Sequence, residues 1–222
     1  MTPEEAHWLL AETAAPFEAA FIDHVFSNEP LEDGYEAADP PRQALLCDAA
    51  ELLVTTGESG YRGNFTDAAR VLGHCMDPQR LTRLVVGYRD GGQHSAEELG
   101  YILWRAGGSL SGTDLDVLQE LFLASPASHL IVGRAVLDRR PAGPAWDALL
   151  AHIAESEDPT WLATVCEFLT DRQVFKGDDR LSEWYARMRG KPLSLRRATA
   201  AKVAARPWGL LTELGLNRRR RT

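Results

Sequence analysis

The chain predicts an all-α protein, and three observations carry the prediction. Apolar residues recur three and four positions apart between turn signals, as they do on one face of a helix. Strict alternation over the length of a strand is nearly absent. Two separate series of helix starts also share one period of 30 to 35 residues.

Taken in order, residues 4–26 form a helical stretch broken at Pro16, and residues 1–43 as a whole read as N-terminal capping helices. First helices of successive hairpins then start near Ala44, Gln79, Asp114, Trp146 and Arg180. Their partners start near Phe65, Ser95, Ser128, Pro159 and Ser194. Asp114 to Ala124 places Leu115, Leu118, Leu121 and Phe122 on one side, and Trp146 to Ala154 does the same with Trp146, Leu149, Leu150 and Ile153. Each is followed by a second apolar helix, one through Leu130, Val132 and Val136, the other through Trp161, Val165 and Phe168. Boundary chemistry agrees. Asp77-Pro78 and Asp158-Pro159 set an N-cap before a first-turn proline, Ser95 to Glu98 is a capping box, and Gly107-Gly108 and Gly143-Pro144 read as helix ends.

One helical hairpin cannot bury its apolar face alone, so a repeat of this length implies neighbours stacked on one another. By period and patterning, residues 44–205 resemble the HEAT-like and armadillo-like helical repeat superfamily, without the signatures of tetratricopeptide or ankyrin repeats. The resemblance implies about five stacked antiparallel hairpins in a short right-handed α-solenoid; an irregular helical bundle is the alternative. One helical-repeat domain over 1–205 is expected, with a basic tail over 206–222.

Composition bounds the function. With 45% hydrophobic and 25% charged residues in 222, the chain can bury a core and is neither disordered nor fibrous. No apolar run approaches the ~18 residues of a membrane span, and Met-Thr-Pro-Glu-Glu lacks a secretory pattern, so a cytoplasmic location is expected. Cys47, Cys75 and Cys166 are odd in number and widely spaced, and they read as small buried hydrophobes outside any disulfide.

Charge is split along the chain. Residues 1–179 carry 12 Lys+Arg against 30 Asp+Glu, whereas residues 180–222 carry 12 against 2. A nucleic-acid partner would therefore have to be held by the basic end, through Arg187, Arg189, Lys191, Arg196, Lys202, Arg206 and the run Arg218, Arg219, Arg220, Arg221. Attraction between this end and the acidic remainder of the chain is the competing reading.

Catalytic patterns are missing. Thr55 to Asn64 holds three glycines but lacks the Gly-Lys-Ser/Thr of a phosphate loop. His74-Cys75 are helix neighbours that point apart and cannot readily form a nucleophile-base pair, and the histidines show no metal spacing. Asp178-Asp179 reads as a solvated turn. Six tryptophans suit hairpin interfaces, with an aromatic cleft as the sharper reading.

HEAT-like DNA glycosylases of the alkylpurine type combine tryptophans with a catalytic Asp, and Trp146-Asp147 is the nearest local pair. The family's Trp-x3-Asp arrangement is missing, since Gly108 and Leu150 stand four after Trp104 and Trp146. The leading expectation is a non-catalytic protein-binding module or adaptor, of an immunity type by analogy with acidic proteins that neutralise basic toxins. It needs no metal or cofactor, and its partner is another protein. The exposed faces of the second helices would carry Tyr101 and Arg105, Arg134 and Asp138, Glu167 and Asp171, and Arg197.

Overall fold

The computed structural model describes residues 1–18, 30–58, 66–75, 77–170 and 180–205. Among them are twelve α-helices and no strand, which makes the protein all-α. In chain order they are α1 (Pro3–Ala14), α2 (Pro30–Ala37), α3 (Pro40–Thr56), α4 (Thr66–His74), α5 (Pro78–Arg89) and α6 (Ala96–Ala106). There follow α7 (Gly112–Ala124), α8 (Leu130–Arg139), α9 (Pro144–Glu155), α10 (Pro159–Thr170), α11 (Arg180–Arg189) and α12 (Leu193–Ala204). No described helix is long and apolar enough to cross a membrane.

Side chains close the helix ends where the sequence places caps. Ser95 and Glu98 form the expected box: Glu98 Oε2 accepts from the Ser95 N–H at 2.7 Å, and Ser95 Oγ accepts from the Glu98 N–H at 3.1 Å. Asp77 and Asp158 each accept from the backbone N–H two residues on, at 2.9 and 2.8 Å. Ser111 with Asp114 and Thr2 with Glu5 build two further boxes. Gly143-Pro144, expected to end a helix, instead opens α9, with proline in the first turn where its missing N–H costs nothing.

The chain divides into two units, residues 1–121 with 131–135 and residues 122–130 with 136 onward. In the first, α3 packs on α1 and α4, α4 packs on α6, and α2 lies against α1 and α4. Leu46, Leu53, Leu72, Leu84, Leu99 and Ile102 are all buried there. Arg80 on α5 is itself buried and joins α5 to α3 through the Cys47 carbonyl at 3.1 Å, Asp48 at 2.7 Å and Glu51. Its charge is thereby balanced and both terminal nitrogens are engaged, as burial of a guanidinium demands.

In the second unit α9 packs on α11 and α10 on α12. Leu162, Ala163 and Val165 bury α10. The Trp146 indole N–H donates to Glu183 at 2.5 Å. Buried Arg180 lies over the Trp146 ring and donates to the Leu137 carbonyl at 2.8 Å, near the open C-terminal end of α8.

One expectation is corrected here. Cys47 and Cys75 are joined in a disulfide, with Cα atoms 6.1 Å apart, while Cys166 is a buried thiol outside any disulfide. Packing of α4 on α3 brings together two cysteines 28 residues apart, within the separation a disulfide tolerates.

Candidate protein-binding face

Three helices of the first unit converge on one aromatic and charged cluster. Residues three or four apart share a helix face, so α2 presents Glu32 with Tyr35, α4 presents Arg70 with His74, and α6 presents Tyr101, Trp104 and Arg105.

Glu32 is the anchor. It is buried, and its Oε1 accepts from Arg105 Nη2 at 3.0 Å and lies 3.5 Å from His74 Nε2. The Arg105 stem reaches it across Gly73, where an added Cβ would stand 2.8 Å from the Arg105 Cβ. Glycine is the residue that leaves this path open. Close below, the Tyr35 hydroxyl lies 3.7 Å from Cys47 Sγ and 4.0 Å from Cys75 Sγ, and the Tyr35 ring tilts against His74 at 5.6 Å. Burial raises the Tyr35 phenol above its ordinary value, partly opposed by the Arg80 charge, so the hydroxyl stays protonated at neutral pH. The disulfide ties α3 to the residue that follows α4, and so holds the helix carrying Arg70 and His74.

Outward from this anchor the surface is aromatic and cationic. The Arg105 guanidinium lies 5.3 Å from the Trp104 ring centre and 6.0 Å from that of Tyr101, and the Arg70 guanidinium lies 5.9 Å from the Tyr101 centre. Trp104 is 45% exposed even so, which is unusual for the most expensive apolar side chain to leave in water. The ion pair to Glu32 fixes Arg105, and the two rings pack 5.8 Å apart, so little freedom remains for a partner to remove.

Tyr101 and Arg105 thus stand together as the sequence suggests, and Trp104 joins them. Reading tryptophans as interface filler passed over Trp104, although it is three residues after Tyr101 and beside Arg105 on the same polar face. The filler reading suits Trp146, Trp161 and Trp184, all buried, but not Trp8, which is 65% exposed. The other predicted surface residues divide. Arg134, Asp138 and Glu167 are half-buried, each with a polar atom shielded from solvent, whereas Arg197 is exposed; Asp171 lies outside the described residues.

Of the basic set, Arg187, Arg189, Arg196 and Lys202 are exposed, whereas Lys191 donates to the carbonyls of Ala154 and Ser156 at 2.5 and 2.8 Å and closes the end of α9. Arg206 and Arg218 to Arg221 lie outside the described residues, as do residues 59–64 of the glycine-containing loop and Asp178-Asp179. Trp146 is buried while Asp147, in the first turn of α9, is exposed, so the pair does not line one aromatic cleft. Among the described residues no three His, Cys, Asp or Glu side chains gather as metal ligands.

Comparison of the chain with models of known families, with curated proteins and with solved structures finds no match.

Proposed function

We propose that the protein is a non-catalytic protein-binding module, an adaptor or an immunity-type inhibitor, and that it meets its partner through the face made by Arg70, Tyr101, Trp104 and Arg105. The single observation that carries this reading is an exposed tryptophan packed against an arginine that is itself positioned by a buried carboxylate. Tryptophan, tyrosine and arginine dominate the energetics of protein interfaces, and a rigid anchor loses little entropy on binding. A partner suited to this face offers an apolar recess for Trp104 and carboxylates for Arg70 and Arg105.

A HEAT-like solenoid is the architecture we favour for the module. Equivalent helices stack two apart in the chain, α4 with α6 in one unit, and α9 with α11 and α10 with α12 in the other. That pattern is what hairpin repeats require, and it supports the repeat reading.

The test compares the chain with a Trp104→Ala/Arg105→Ala variant. Both side chains are at least one-third exposed, so the variant should fold, with a loss of stability from the buried Glu32 left without its arginine that thermal unfolding reads separately. The partner captured by the wild type should bind the variant at least about 30-fold more weakly, as loss of a hot spot worth about 2 kcal/mol implies. Equal binding would refute the assignment. Incubation with alkylated duplex DNA should release no free base; release abolished by Asp147→Asn would replace this reading with the glycosylase.

A further inference from the structure

The second unit holds a cavity of about 300 Å³ between α10, α11 and α12, at the small end of the range for ligand sites. Its floor is apolar: Cys166, Trp184, Met188 and Val203 line it and are each at most 6% exposed. Arg189 and Arg196 stand at its exposed side.

Nitrogen donors dominate the polar chemistry of the lining. Trp184 is 4% exposed, and its buried indole N–H finds no acceptor among the described residues. An indole nitrogen can only donate, and leaving it buried and unpaired is unfavourable. Both arginines are donors as well; Thr199, whose hydroxyl proton goes to the Leu195 carbonyl at 2.9 Å, and the Tyr185 hydroxyl, which can donate or accept, are the other polar side chains of the lining. Among the described residues no carboxylate lines the cavity. Around it, residues 180–205 hold seven Lys+Arg and one acid, Glu183, which already accepts from Trp146. An occupant must therefore accept hydrogen bonds, carry negative charge and bury an apolar body.

We propose that this cavity binds a small amphiphilic carboxylate, its chain or ring lying on Trp184, Met188 and Val203 and its carboxylate meeting Arg189 and Arg196. The site is independent of the Trp104 face.

Decanoate, kept below its micelle concentration, is the probe, titrated calorimetrically into the full chain with decanol as a neutral counterpart. Decanoate should bind and decanol should bind at least tenfold more weakly. Arg189→Gln/Arg196→Gln should lose at least tenfold in decanoate affinity with unchanged thermal unfolding, because both side chains are exposed. Trp184→Phe, which keeps a ring and removes the N–H, should weaken binding severalfold, and Ala200→Phe should block it by filling the space. Absence of decanoate binding at millimolar concentration would overturn the proposal. So would equal affinity for decanol, undiminished binding by Ala200→Phe, or association with anionic phospholipid vesicles in place of free decanoate.

Discussion

At the scale of single residues, His94 shows what a buried titratable group does to stability. Its Nε2–H donates to the Leu84 carbonyl at 2.9 Å, while Nδ1 is buried without a partner among the described residues. Burial holds the imidazole below its ordinary value, against smaller opposing effects of the Leu84 hydrogen bond and of Glu98. The unfolded chain takes up a proton near pH 6.5 that the folded chain refuses. The unfolded state then binds more protons, so the contribution of His94 is intact above that pH and is lost as pH falls through it. Unfolding free energy should drop more between pH 7.5 and 5.5 in the wild type than in His94→Gln; parallel slopes would contradict this.

The cysteines make a second residue-scale case. Thiol titration of the unreduced, denatured protein should find one reactive cysteine, Cys166, and three would exclude the Cys47–Cys75 bond. Closing a 28-residue loop is worth about 3–4 kcal/mol, so reduction should lower the unfolding midpoint accordingly. This bond was not legible in the sequence. Spacing and an odd count speak only to frameworks and metal knuckles, whereas the bond depends on α4 lying against α3.

At the scale of elements, legibility follows boundary chemistry. Asp77-Pro78, Ser95 to Glu98 and Asp158-Pro159 fix helix starts to within a residue, because a side chain must satisfy the N–H groups that helix geometry leaves open. Apolar spacing starts α3 at Ala44, whereas the helix begins four residues earlier at Asp39-Pro40, where the Asp39 carboxylate accepts from the Arg42 N–H at 2.8 Å.

Helix α2 carries a weaker local signal. It holds Gly34 in its interior and only Leu31, Tyr35 and Ala37 as apolar side chains. Its reason is tertiary. A Cβ at Gly34 would lie 2.3 Å from the Thr13 carbonyl oxygen, so glycine lets α2 approach the backbone of α1. Gly34→Ala should destabilise the protein by about 1–3 kcal/mol in chemical unfolding, as overpacking does. Gly112→Ala, where an added Cβ meets nothing within 4 Å, should stay within about 0.5 kcal/mol. Equal costs for the two would argue against the close approach.

At the scale of the whole molecule, the periodic pattern announced an all-α chain because helical spacing and caps are local properties. Which face of an apolar helix turns inward is not local. Arg134, Asp138 and Glu167 lie on the polar sides of α8 and α10 by spacing, yet they are half-buried. On α6, Trp104 and Arg105 are exposed and Tyr101 is half-buried beside them. What spacing along α6 could not show is that Glu32, 73 residues before Arg105, anchors the face from beneath.

That anchored face is the centre of the functional account, and a photo-crosslinking residue in place of Trp104 tests it most directly. A control carries the same residue in place of Leu193, which is 53% exposed in the second unit. The account predicts a covalent adduct with one protein partner at position 104 and not at 193, suppressed by excess wild-type chain but not by excess Trp104→Ala/Arg105→Ala. Equal adduct yields at the two positions, or suppression by the double variant as effective as by the wild type, would contradict it.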